Sequence, residues 1–497
     1  MIDLSAIRVT PDERELLGEG RVAAVCLFGR NVVDRYQVAD YVEELRSLAG
    51  SDLIVAIDQE GGGVLRLRDV PHPPAAMALG AADDEVLTER VAAATGRGLR
   101  SVGVNLDFAP VADVNSNADN PVIADRSFGS DTRLVARHVA AFVRGLQSER
   151  VAATLKHFPG HGDTDVDSHL ALPILRHDAE HLAAVDLPPF QAGIAAGVAA
   201  IMSAHILMPD LDAVLPATLA RSAMHGLLRT RLAYEGVIVT DALDMRAISD
   251  TWPAPEASIM ALQAGADLPL VIGSVGENRA VLDAVDAAAA DGRLSGAEYA
   301  ASQQRIAALA HQYAVTESDP SSAWRADGSD EELLREAALR GLVVRGDLPR
   351  LRHGDRVILV ARESVFTNAA AQVTVRPADH LSVALEAAGV RVTRFSVDDV
   401  SLDDVARSAG SSGDEDAAAA AIVYASTSRT RVKPEEAATA TALADVARVV
   451  GVSYLHAALW NPYSADGVPG PTLLSFGHAP REAEAAVRRL LAGGPTT

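Results

Sequence analysis

One stretch of the chain concentrates side chains that move protons. Lys156–His169, reading KHFPGHGDTDVDSH, holds one lysine, three histidines and three aspartates in fourteen residues. Two glycines and a proline shape it as a loop. Three chemistries compete for it. As a calcium loop, Asp163, Asp165 and Asp167 start in the right rhythm. Ser168 then stands where glycine is needed, and Ile174 where a bidentate glutamate is needed. As a transition-metal site the composition suits, but the His-x-His and His-Glu-x-x-His spacings are absent. The third chemistry is acid/base catalysis. In Asp167-Ser-His169 a carboxylate two residues from an imidazole can hold one ring nitrogen and leave the other free for proton transfer near neutral pH. Alone, Asp-x-His is a weak signal that many surface loops share.

The second focus is Gly236-Val-Ile-Val-Thr-Asp241-Ala-Leu-Asp244. Asp241 closes an apolar run, a position that suits a carboxylate nucleophile or an electrostatic stabiliser. The plainer reading is a helix N-cap, for which aspartate is favoured. Asp244 is expected exposed on the following helix.

Elements that could position these groups follow from the pattern of apolar runs. Val22–Phe28, Leu53–Ile57, Val104–Phe108, Val151–Leu155, Ala199–Ile206, Gly236–Val239 and Ala266–Ile272 are short and show little alternation, as strands buried on both faces do. Between them lie amphipathic stretches such as Glu89–Ser101 and Arg133–Glu149. Strand followed by helix, repeated, means βαβ units and a parallel sheet. Seven strands fit a closed eight-stranded barrel with one weak strand, or a large open sheet. Periodicity does not choose between them.

Polar residues recur at the C-terminal ends of these runs: Asp58-Gln59-Glu60, Asp107 and Asp113, Lys156-His157, Ser203 and His205, and Thr240-Asp241. Parallel α/β proteins build active sites at that edge. One such residue is ordinarily a cap; five strands in series point to a site.

A helical stretch, Ser295–Val315, precedes a polar break, Thr316–Gly328, the expected linker. The domain expectation is residues 1–315, a linker at 316–330, and a smaller α/β domain at 331–497. The second domain's strands are expected at Val357–Val360, Val392–Phe395, Ala420–Ala425 and Val449–Val452. The acidic patch Ser411–Asp416 reads as a solvated loop.

The chain has 497 residues, 44 basic against 67 acidic, and a formal charge of −23. Such acidity argues against a nucleic-acid partner. No run approaches the roughly 18 apolar residues of a spanning helix, and the N-terminus lacks the pattern of a signal peptide. A cytoplasmic protein with no membrane partner is the expectation. A single cysteine, Cys26, excludes a disulfide framework. The oligomeric state is not encoded legibly.

Six segments taken together resemble glycoside hydrolase family 3, within it the cytoplasmic β-N-acetylglucosaminidase (NagZ-like) branch. They are Leu27-Phe-Gly-Arg-Asn31, Ile57-Asp-Gln-Glu-Gly-Gly62, Asp107-Phe-Ala-Pro-Val-Ala-Asp113, Arg126-Ser-Phe-Gly129, Lys156–His169 and Val239-Thr-Asp-Ala-Leu-Asp-Met245. They run in the family's order through about 300 residues, and the Asp-Ser-His element marks the glucosaminidase branch. The resemblance implies a (β/α)8 TIM-like barrel followed by an α/β sandwich domain. It implies Asp241 as nucleophile, His169 as general acid/base and Asp167 as its partner. Asp58, Arg66, Arg126, Lys156 and His157 are implied to hold the hydroxyls of an N-acetylglucosamine ring, and no metal or organic cofactor is implied. The cations and histidines of this set read as a basic island on an acidic protein. Gly63 departs from the family, which usually has arginine there.

The implied reaction is retaining cleavage of a terminal N-acetylglucosamine from cell-wall muropeptides or small β-glucosaminides. A neutral histidine base does not repel an anionic acceptor, so phosphorolysis is the alternative. A Schiff-base reaction at Lys156 and a non-catalytic sugar sensor are the more distant readings.

Overall fold

Eight short parallel strands make the first unit: Ile2–Asp3, Ala24–Leu27, Ile54–Ile57, Leu106–Asp107, Ala152–Phe158, Ala200–Ser203, Val237–Ala242 and Leu268–Leu270. Each pairs in parallel with the next in chain order. A parallel bridge between Ile2 and Val271 joins the last strand to the first, with Val271 N donating to Met1 O at 3.0 Å. The sheet therefore closes as a barrel. The weak eighth strand is Ile2–Asp3, two residues with too little pattern for periodicity to find.

Alternate residues of these strands, including Ala24, Cys26, Ile54, Ala56, Ala200, Met202, Val237 and Val239, share one buried cluster. The opposite faces carry buried residues too, such as Val25, Val55, Ile201 and Ile238. Burial of both faces is why the runs read as continuously apolar. Helices Glu85–Ser101 and Thr132–Ser148 are capped by Asp84 and Asp131, whose carboxylates accept from Leu87 N and Leu134 N.

The computed structural model describes residues 1–362, 376–410, 419–428, 430–460, 462–477 and 479–493. Its contacts divide the chain into two units: Met1–Pro73, Asp84–Ile123 and Ser127–Leu333 form the first, and Pro74–Asp83, Ala124–Arg126 and Leu334–Thr497 the second. Ser411–Asp416 lies outside the described residues. Among those described, no helix is long and apolar enough to cross a membrane.

The second unit holds a six-stranded mixed sheet. Its order is Val343–Arg345, Thr472–Leu474, Ser453–Ala458, Ala421–Ser426, Arg356–Ala361 and Arg391–Ser396, and only the first strand is antiparallel to its neighbour. Val357, Leu359 and Ala361 face a core shared with helices Pro377–Ala387 and Pro480–Ala492. Ile358 and Val360 face one shared with helices Leu402–Gly410 and Pro434–Val450. This is the expected α/β sandwich. The run expected at Val449–Val452 is not a strand. Helix Pro434–Val450 ends there on Gly451, whose φ of 76° caps it, and the strand begins at Ser453.

Candidate active site

The C-terminal ends of the barrel strands carry a connected set of ionisable side chains. At the end of the third strand, Asp58 is bracketed by two cations. Lys156 Nζ lies 2.8 Å from Asp58 Oδ1, and an Arg66 guanidinium nitrogen 3.0 Å from Oδ2. Lys156 also reaches Glu60 Oε1 at 2.5 Å. Arg66 follows a two-stranded hairpin, Gln59–Gly61 with Val64–Leu65, and Gly63 is a buried residue of its turn. Gln59 fixes that hairpin: its side-chain oxygen accepts from Arg66 N and Leu67 N, and its amide nitrogen donates to Leu67 O. The expected basic island is therefore internally compensated, because Asp58 and Glu60 sit on Lys156 and Arg66.

His157, next on the fifth strand, is held by Asp113. Asp113 Oδ2 lies 2.7 Å from His157 Nδ1, and Oδ1 accepts from the main-chain N–H of His157 at 3.1 Å and of His161 at 2.7 Å. Burial pushes the Asp113 carboxyl up, but the facing His157 and these hydrogen bonds outweigh it and hold the group below the usual range. His161 is different. Burial pushes its ring down to about 4, so it is neutral. Thr164 Oγ1 already donates to the His161 carbonyl at 3.0 Å, so His161 Nδ1–H donates to Thr164 and Nε2 accepts from Ser168 Oγ at 3.1 Å. His161 is thus a strut inside the loop.

The strut leads to the dyad. Asp167 Oδ1 lies 2.7 Å from His169 Nδ1 and accepts from His169 N at 2.9 Å. Burial raises the Asp167 carboxyl; the His169 hydrogen bonds override that and leave it below the usual range. The His169 side chain keeps 30% of its exposure, against 11% for Asp167, so the pair has an inner orienting member and an outer accessible one. The Ser168 carbonyl accepts from Ala247 N at 3.2 Å, tying the loop to the segment after the seventh strand.

That strand carries Asp241. The cap expectation fails for it, because the next helix starts at Arg246 with Met245 in the cap position. Asp241 Oδ1 instead accepts from Ala242 N at 2.8 Å. Burial raises this carboxyl; the electrostatic influence of His157, His205 and His169 more than offsets it, and the group is ionised at neutral pH. Asp244 is exposed, as expected, but it lies in the turn before the helix Arg246–Ser249 rather than on it.

His205 and Ser203 end the sixth strand beneath this point. His205 is fully buried, and burial lowers its pKa. Its Nε2–H donates to the Ala242 carbonyl at 2.9 Å, and Nδ1 lies 2.8 Å from Thr218 Oγ1, whose hydroxyl donates to the Ala204 carbonyl at 2.9 Å. Ser203 Oγ is 2.9 Å from the same Thr218 hydroxyl.

Asp58, Arg66, Lys156, His157, Asp167, His169 and Asp241 all belong to the barrel unit. Arg126 is nearly buried in the turn Ala124–Arg126, which groups with the second unit. Asp113, Gln59, Glu60, His161 and His205 were not given roles from sequence. The strand-end rule pointed to Asp113 and His205, but their tasks need contacts 44 and 37 residues away.

A closed parallel barrel with ionisable side chains gathered at the C-terminal ends of its strands is the architecture on which (β/α)8-barrel enzymes build their active sites. Residues 1–309 match the model of the glycosyl hydrolase family 3 N-terminal domain, and the chain belongs to that family. It is 39% identical over 283 residues to beta-hexosaminidase A of Pseudoalteromonas piscicida, an alignment covering 52% of this chain and 47% of that protein. The chain thus spans under half the length of that relative. It is 38% identical to a beta-hexosaminidase of Stenotrophomonas maltophilia, over 54% of this chain and 82% of that one. A solved family 3 β-N-acetylglucosaminidase from a Paenibacillus species superposes with a TM-score of 0.88 at 34% identity, over 99% of this chain and 96% of that chain.

Proposed function

We propose that this chain is a retaining β-N-acetylglucosaminidase acting on terminal N-acetylglucosamine of cell-wall muropeptides or small β-glucosaminides in the cytoplasm. The observation that carries the reading is the Asp167–His169 pair at 2.7 Å with its outer ring accessible. An ionised Asp241 stands within its electrostatic reach.

Asp241 attacks the anomeric carbon as the glycosidic C–O bond breaks, and His169, as imidazolium, protonates the leaving oxygen. In the second half His169, now neutral, takes a proton from the water that attacks the same carbon, and the bond to Asp241 breaks. Asp167 orients the ring and stabilises its charged form. Asp58, Arg66, Lys156 and His157 present donors and acceptors for the sugar hydroxyls, which fixes ring orientation. Arg126 is assigned to the same task by its match to the family motif.

Hydrolysis is favoured over phosphorolysis by the beta-hexosaminidase names of the 39% and 38% identical relatives. The test is turnover of an aryl β-N-acetylglucosaminide and of a muropeptide, with and without phosphate. Asp241→Ala should lower kcat by about 10³-fold or more. Wild-type inactivity on both substrates overturns the proposal. N-acetylglucosamine 1-phosphate as sole product overturns hydrolysis.

A further inference from the structure

Beyond the dyad, the chain builds a second cluster that the proposed reaction does not use. Asp178 caps the short helix Ala179–His181 by accepting from His181 N at 2.8 Å. The helix runs on into a π-helical turn, Leu182–Asp186. A π turn closes i→i+5 rather than i→i+4, so His181 and Asp186, five apart, come to one side. His177, just ahead of the cap, joins them. Its Nδ1 lies 3.0 Å from Asp186 Oδ2, and His181 Nε2 lies 4.0 Å from that same oxygen. The two rings rest against each other with centroids 3.8 Å apart. One ligand atom from each of the three residues falls within 4.8 Å of the others.

Two imidazoles and a carboxylate converging on one point make a three-ligand set with a fourth position open. Tetrahedral zinc with bonds of about 2.0–2.2 Å needs ligand atoms roughly 3.3 Å apart; the separations of 3.0 and 4.0 Å bracket that. His177 Nε2 lies 2.8 Å from Asp163 Oδ2. A metal-bound histidine characteristically gives its other N–H to such a carboxylate; because Asp186 and Asp163 together raise the His177 ring to about 9, a cation must displace the Nδ1 proton as it binds. His181 Nε2 is buried without a hydrogen-bond partner, although a buried imidazole nitrogen ordinarily finds one. A cation at this point satisfies it.

We propose that His177 Nδ1, His181 Nε2 and Asp186 Oδ2 form a binding site for a divalent transition cation of the zinc type, with Asp163 as the orienting partner. The site has a structural consequence for the dyad's loop. Asp163 belongs to that loop, and Asp186 packs beneath Gly160, where an added Cβ would lie 2.9 Å from the Asp186 side chain. A bound cation therefore clamps the Lys156–His169 loop to the helix that follows it. None of its three ligands has a part in the proposed reaction, so site and reaction stand or fall separately.

The experiment uses the full chain stripped with chelator, then titrated with Zn²⁺ by calorimetry and with Co²⁺ by visible absorption. The wild type is expected to bind about one equivalent and to show the intense d–d bands of tetrahedral cobalt. His169→Ala, which removes the dyad's imidazole, should bind equally well. His181→Ala and His181→Gln should lose affinity by about 100-fold or more. His181 keeps 38% of its exposure, so both variants should unfold with the wild type in chelator, and zinc should raise the wild-type midpoint alone. No wild-type binding at about 100 µM Zn²⁺ overturns the proposal. Binding that is lost in His169→Ala and kept in His181→Ala overturns it too, since the cation then sits at the dyad.

Discussion

Asp113 Oδ2 lies 2.7 Å from His157 Nδ1, while its other oxygen gathers the main-chain N–H groups of His157 and His161. One buried carboxylate thus fixes the ring proposed to face the sugar and the turn that starts the Lys156–His169 loop. Replacing it removes an ionised acceptor and leaves two main-chain donors to find other partners.

Asp113→Ala is therefore expected to lower kcat/KM about 10- to 100-fold and to cost about 2–4 kcal/mol of stability. Asp113→Asn keeps the shape and one acceptor oxygen, so it should recover most of the stability. It should recover less of the rate, because an amide N–H facing Nδ1 favours the wrong tautomer of His157. Steady-state kinetics beside urea melts check this. Equal loss of rate and stability in both variants would make Asp113 a packing residue only.

The Asp167–His169 contact sets a pH dependence. The proposed first half-reaction needs His169 as imidazolium, and the ionised Asp167 favours that form. Asp167→Asn removes the negative charge, so the ring gives up its proton more readily. The alkaline limb of kcat/KM should move to lower pH by about one unit, with a rate loss of about 10²-fold. In the proposed reaction the acid limb belongs to Asp241, whose carboxyl lies below the usual range. That limb should stay in place. A profile shifted alkaline, or unshifted, would remove Asp167 from the orienting role.

Much of this architecture was legible because barrel strands are buried on both faces and end in polar residues. Seven apolar runs gave seven strands, and the dyad and nucleophile candidates stood out because their motif is local. Three things were not legible. Ile2–Asp3 is too short for a pattern and becomes a strand only through pairing with Ala24–Leu27 and Val271. Val449–Val452 looked like a strand because its composition is β-branched, but Gly451 ends a helix there. The charge balance of the site was misjudged because Lys156 meets Asp58 across 98 residues, a pairing that only the closed barrel supplies.

His205 is predicted to act on the reaction through Asp241. Its Nε2–H holds at 2.9 Å the carbonyl of Ala242, the residue that follows the proposed nucleophile. His205→Ala should free that carbonyl and lower kcat by about 10- to 100-fold while changing KM little. His205→Gln can present an amide N–H to the same oxygen and should restore part of kcat. If the glutamine variant is as slow as the alanine variant with an unaltered melt, the hydrogen bond is not what positions Asp241.

Asp107 supplies a stability signal separate from catalysis. It is fully buried at the end of the fourth strand, with Oδ1 accepting from Gln59 N at 2.9 Å and Oδ2 lacking a hydrogen-bond partner. Burial pushes its carboxyl from 3.8 up to about 8, so the folded chain keeps this proton where the unfolded chain releases it. Folding takes up a proton between these two values. The contribution is therefore complete below about 4 and is lost as pH rises through about 8. Asp107→Asn keeps the shape and the acceptor without titrating. Its stability relative to the wild type should rise steadily across that window, by at most about 1.4 kcal/mol per pH unit, and level off above it. Urea melts of both proteins at pH 5, 7 and 9 measure the trend. A difference that does not change with pH would mean Asp107 is ionised in the folded barrel.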